Sequence, residues 1–126
     1  MNKAAIIATV AALQGAAGVS LAAAAAHADA NPLLSTASQF LLIHAAAGLA
    51  LSALVRGSAS FPRLLVGASF ALQAGVTLFS ADLAARVYLG GKLFPFAAPI
   101  GGSLTILAWL TLALWGARGI NRANCG

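Results

Sequence analysis

Four apolar stretches, each closed by a short polar break, constrain this chain more than any other feature. From Ala4 to Ala26 run 23 residues without a charge. At a helical rise of about 1.5 Å per residue that is roughly 35 Å, enough to cross the hydrocarbon of a bilayer. A second stretch runs from about Gln39 to Val55, a third from Leu64 to about Leu83, and a fourth from about Phe94 to Ala117. The breaks are His27–Ser38 with Asp29, Asn31 and Pro32, then Arg56–Arg63 with Gly57, Ser58, Ser60 and Pro62, then Gly90-Gly91-Lys92. In lipid a spanning segment must satisfy its own backbone, so these stretches are expected to be helices. Connections this short make each helix antiparallel to the next. The expected fold is all-α: one domain over residues 1–126, an integral membrane bundle of four antiparallel transmembrane helices. With 61% of residues hydrophobic and 7% charged, an ordinary soluble domain is excluded.

The first stretch has a competing reading. Lys3, an apolar run and Ala-His-Ala-Asp-Ala before Asn31 look like a secretory leader with a small-residue cleavage site. Leader cores are roughly 7–15 residues long, shorter than this one, so the segment is expected to be retained as a helix.

The net charge is +5, but seven Lys and Arg scattered over the chain do not make a nucleic-acid surface. They do orient the bundle. With four crossings, Lys3, Arg56, Arg63, Arg118 and Arg122 fall on one side, and Arg86 and Lys92 on the other. The bias in Lys and Arg predicts both termini in the cytoplasm. Cys125 is the single cysteine, so no internal disulfide or thiolate cluster forms. No metal site and no cofactor is expected.

The polar side chains inside the spans are the candidates for function, because ionisable groups in a membrane are costly. His27 ends the first span. His44 lies five residues into the second, about 8 Å deep by helical rise. Asp82 ends the third span, with Arg86 four residues on. Antiparallel threading gathers His27, Asp29, His44, Asp82, Arg86 and Lys92 toward one leaflet. The plainest roles are a buried imidazole for His44, a helix end for His27 and an interfacial ion pair for Asp82 and Arg86. Ser69, Gln73, Thr77 and Ser80 fall within about 80° of one another on the third helix, so they should face the interior and bond across helices.

Packing should rest on small residues: the chain has 33 alanines and 13 glycines. Ala11, Gly15, Gly18 and Ala22 form a small-residue face on the first helix, suited to close approach. Trp115 suits the interfacial aromatic belt, and Trp109 lies deeper, as packing. Pro99-Ile100-Gly101-Gly102 allows two readings. The fourth helix is broken there, as in helices that line a cavity, or it simply begins at Pro99, which fits a first turn.

Gly18 to His27, His44, Leu78-Phe79-Ser80, Pro99-Ile100-Gly101-Gly102 and Trp109 stand in an order and spacing similar to those of the YgdD-like family of small four-helix membrane proteins, domain of unknown function 423. The resemblance covers about Ala11 to Gly119. It implies a four-helix protein of bacterial plasma membranes and brings no established activity. The chain departs from the family pattern in two places. Ala22 and Ala25 stand in glycine places and Ala24 in an aromatic one; Ala81, Asp82 and Ala84 replace glycine, a small polar residue and tyrosine. His27 and His44 match.

The leading functional expectation is a non-catalytic accessory or assembly subunit of a larger membrane complex, meeting other subunits or itself through helix contact. The chain has no glutamate, no carboxylate pair and no Cys/His cluster. A small transporter or channel is the alternative, supported by the polar face of the third helix and the break before the fourth. A redox module, with His27 and His44 holding haem or contacting a quinone, is a third reading.

Overall fold

The computed structural model describes residues 1–28, 30–58 and 60–126. Among these, all regular structure is helical: α1 Lys3–His27, α2 Pro32–Gly57, α3 Pro62–Tyr88 and α4 Ala97–Asn124. Each helix is long and apolar enough to cross a membrane. At 25 to 28 residues they measure about 37–42 Å, so their ends reach past a hydrocarbon core of about 30 Å.

Three helices differ in extent from the sequence expectation, each for a local reason. α2 begins at Pro32, seven residues before Gln39, because Asn31 and Pro32 start the helix instead of stopping one. The Asn31 side chain accepts from the Leu33 amide at 2.9 Å, and proline at the first position lacks only an amide that would be unpaired anyway. The polar residues behind it are absorbed by backbone carbonyls: Thr36 Oγ1 donates to Pro32 O and Ser38 Oγ to Gly18 O, both at 2.9 Å. α3 continues five residues past Leu83 to Tyr88 and stops where Gly90 takes a left-handed φ of 73°. α4 runs seven residues past Ala117, so the tail from Arg118 is mostly helix.

α4 is also unbroken. Pro99 stands third in the helix, within the first turn, where its missing amide costs no helical bond. The broken helix considered for Pro99–Gly102 is therefore not formed; the helix starts near Pro99, as the other reading has it, but two residues earlier, at Ala97.

α1 packs on α2 and, along a shorter line, on α3; α2 packs on α3, and α3 on α4. α1 and α4 do not pack together among the described residues, so they occupy opposite flanks of the α2–α3 pair. Ile7, Leu41, Leu51, Leu65, Leu72, Val76 and Ala108 form the buried apolar core. Two crossings are backbone-close. A Cβ at Gly101 would sit 2.6 Å from Phe79 N and 2.8 Å from Gly75 O, so the absent side chain lets α4 lie directly on the backbone of α3. At Gly48 a Cβ would meet Ala11 Cβ at 2.7 Å, closing α1 onto α2.

Candidate functional site

The small-residue face of α1 is spent inside the bundle. Gly18 is buried against Leu41 and Leu42, and a Cβ there would approach Leu42 Cγ to 2.8 Å. At Gly15 a Cβ would make only an ordinary 3.5 Å contact with Ala45. Gly101 serves the α3–α4 crossing, while Gly102 faces Phe79 with room to spare, at 3.8 Å.

His44 is 7% exposed and both ring nitrogens are engaged. Nδ1 lies 2.7 Å from Phe40 O, and Nε2 lies 3.2 Å from Trp109 Nε1. A carbonyl only accepts and an indole only donates, so the ring is neutral, with its proton on Nδ1. Phe40 stacks on His44 at 4.4 Å and on Phe79 at 4.5 Å between centroids. Because α2 starts at Pro32, His44 stands twelve residues in, about 18 Å along the helix, and not 8 Å. His27 is exposed at the end of α1. The two histidines are thus separated in depth, which withdraws the geometric support for joint ligation of a haem. Asp29, the other acid of the expected polar group, lies outside the described residues. Among the described residues no three potential ligands gather to hold a metal.

Asp82 is completely buried, though the sequence places it at a helix end. Its Oδ2 accepts from Arg86 Nε at 2.9 Å and Nη2 at 2.7 Å, and its Oδ1 accepts from the Leu93 amide at 2.9 Å. The carboxylate therefore pins the α3–α4 connection onto α3. Its role is as much to hold residues 89–96 in place as to pair with Arg86.

The polar residues of α3 meet α1. Gln73 Nε2 donates to Ile7 O at 2.7 Å, and Gln14 Nε2 donates to Gln73 O at 3.1 Å and Thr77 Oγ1 at 3.0 Å. Ser69 bonds back to Leu65 O within its own helix. Among the described residues Ser80, 2% exposed, has no partner for its hydroxyl, and the Oε1 atoms of Gln14 and Gln73 are likewise buried and unpaired. Toward the Ser80 end of this seam α1 and α3 part, leaving a groove of about 530 Å³. Val10, Leu13, Ala17 and Leu21 form its α1 wall, Ala81 and Ala84 its α3 wall, and Gln14, Thr77 and Ser80 lie at its base. The candidate site is this groove: an apolar cleft open to the membrane, with two unsatisfied polar atoms beneath it. Sequence reasoning identified Ser80 and missed Gln14, which sits mid-span on α1 and is the polar residue most at odds with its neighbours there.

No curated protein and no solved structure matches the chain. A family model does, over residues 6–102, which takes in α1, α2, α3 and the first turns of α4. That span contains His44, Asp82, the groove and the glycine crossing at Gly75 and Gly101, and on it the chain belongs to the DUF423 family, described as proteins of unknown function.

Proposed function

We propose that this protein is a non-catalytic subunit of a larger membrane complex, docking through the α1–α3 groove on one transmembrane helix of a partner. Its setting in this reading is a bacterial plasma membrane, crossed four times, with both termini in the cytoplasm. The observation that carries the proposal is the pair of buried, unpaired atoms, Gln14 Oε1 and Ser80 Oγ, under an open apolar cleft. In hydrocarbon no water is at hand to satisfy them, and each unsatisfied group costs several kcal/mol. A partner helix supplies the apolar surface that fills the cleft, and a Ser, Thr, Asn or Gln side chain on it pairs with Ser80 Oγ or Gln14 Oε1 once either side chain turns outward from its buried position. The other titratable groups in the spans support a structural reading: His44 and Asp82 have their polar atoms occupied within the chain. The polar stripe of α3 likewise holds α1 in place, which weakens its claim to line a transport path.

The test is extraction in mild detergent at native expression, followed by a native gel, for the natural chain and for Ala81→Trp. Ala81 is exposed on the groove wall, so tryptophan fills the cleft without entering the core. The natural chain should run in a complex with a second protein species and the variant alone. A natural chain that runs alone, or a variant that keeps its partner, overturns the proposal.

A further inference from the structure

At the end of the bundle opposite the α1–α2 connection the chain gathers positive charge, and among the described residues no ion pair forms there. Phe61 sits in the α2–α3 turn with φ 48°, a left-handed conformation that is strained for an aromatic residue and unusual before a proline. Its ring carries two guanidinium groups from the last turns of α4: Arg118 Cζ lies 5.2 Å and Arg122 Cζ 4.4 Å from the centroid. α4 is held there by Trp115 Nε1, which donates to Ser60 O at 3.1 Å, and Arg122 Nη1 reaches Ser60 Oγ at 3.5 Å. Arg63 joins Arg118 around a hollow of about 540 Å³ beside Phe61. The sequence has two acidic residues. Asp82 is bound to Arg86, and Asp29 lies outside the described residues. Among the described residues, Asp82–Arg86 is the one ion pair formed. Arg122 lines the neighbouring hollow on the other side of Arg118. Two guanidinium groups over one ring repel each other, and an anion held between Arg118 and Arg63 relieves that repulsion with charge-assisted hydrogen bonds.

The hollow does not end at the charges. Arg63 and Leu64, which line it, also head a groove of about 230 Å³ that runs along α3 and α4 past Gly67, Ala71, Leu104 and Leu107. Gly67 has nothing within 4 Å of where a Cβ would stand, and this missing side chain helps keep the groove open. A cationic hollow at the membrane surface leading into an apolar channel down the helices has the shape and chemistry of one ligand class. We infer that Arg63 and Arg118 beside Phe61 form a binding site for the phosphate of an anionic phospholipid, with an acyl chain laid along the α3–α4 groove. The site is separate from the α1–α3 groove and does not depend on it.

Native mass spectrometry of the full chain, titrated in zwitterionic micelles with dioleoyl phosphatidylglycerol or dioleoyl phosphatidylcholine, tests the inference. One phosphatidylglycerol should bind about tenfold more tightly than phosphatidylcholine. Arg63→Gln with Arg118→Gln should weaken it roughly fivefold for each arginine removed. Arg118→Gln alone, a single change at an exposed position, should give the single step. Lys3→Gln with Arg56→Gln, which removes equal charge from exposed positions on the same side, should stay within twofold of the natural chain. Gly67→Leu should weaken lipid binding severalfold with all charges present. Equal affinity for the two lipids overturns the site, and so does an equal loss in the Lys3/Arg56 control. Displacement of phosphatidylglycerol by millimolar inorganic phosphate, with Gly67→Leu silent, marks a free-phosphate site and overturns the lipid.

Discussion

Trp109 Nε1 donates to His44 Nε2 at 3.2 Å, joining α4 to α2, two helices that otherwise meet α3 more than each other. The bond lies twelve residues into both helices, well inside the membrane span. It needs a neutral imidazole, because a protonated Nε2 has no lone pair to offer the indole.

Trp109→Phe should therefore destabilise the bundle, by about 0.6 to 1.7 kcal/mol if it behaves as other interhelical bonds in membranes do. The measurement is unfolding in mixed detergent micelles, and His44→Phe with Trp109→Phe completes a double-mutant cycle. The pair is coupled if the double variant loses less than the sum of the single ones. Strict additivity would show that the bond contributes nothing.

The glycine crossing makes a sharper prediction. Gly101→Ala pushes a methyl against Phe79 N and Gly75 O, both backbone atoms that cannot swing aside. It should cost about 1–3 kcal/mol, the usual range for overpacking. Gly116→Ala meets nothing within 4 Å and should stabilise α4 by up to about 1 kcal/mol through helix propensity alone. Thermal melts of the two variants in one detergent should move in opposite directions.

How far the sequence discloses this structure differs from element to element. Helix number, antiparallel order and the core of each span follow from apolar length, because lipid leaves the backbone no other choice. The ends are harder to read. Asn31-Pro32 has the composition of a stop and the geometry of a start, and Thr36 and Ser38 look like loop until their hydroxyls are seen bonded to carbonyls. By hydropathy Asp82 ends α3, but the helix runs on to Tyr88 and the second Asp82 oxygen is tied to Leu93 eleven residues on, a link that no periodicity encodes. The groove is invisible for the same reason: Gln14 and Ser80 are 66 positions apart, and only the divergence of α1 from α3 makes them neighbours of one cleft.

Asp82→Ala should release the α3–α4 connection. The Leu93 amide loses its acceptor, and hydrogen exchange at that amide should accelerate by at least tenfold. Arg86 is partly exposed and can turn to water, so the stability loss should stay near 1–3 kcal/mol, below that of a fully buried broken pair. Unchanged exchange at Leu93 would remove the tether from the account.

Cys125, exposed and the single cysteine, reports orientation without any substitution. In intact cells a membrane-impermeant maleimide should leave it unlabelled, and permeabilised cells should label it fully. Labelling in intact cells would invert the topology proposed here.

In the function proposed for this protein, the α1–α3 groove receives a helix from another protein. Photo-crosslinking residues placed at Ala17 and Ala81, on the two walls of the groove, and at Leu110, exposed on α4, test it in living cells. Ala17 and Ala81 should each give one discrete adduct with a second protein species, and Leu110 only lipid adducts. Lipid adducts alone at all three positions, or a homodimer from the groove positions, would contradict it.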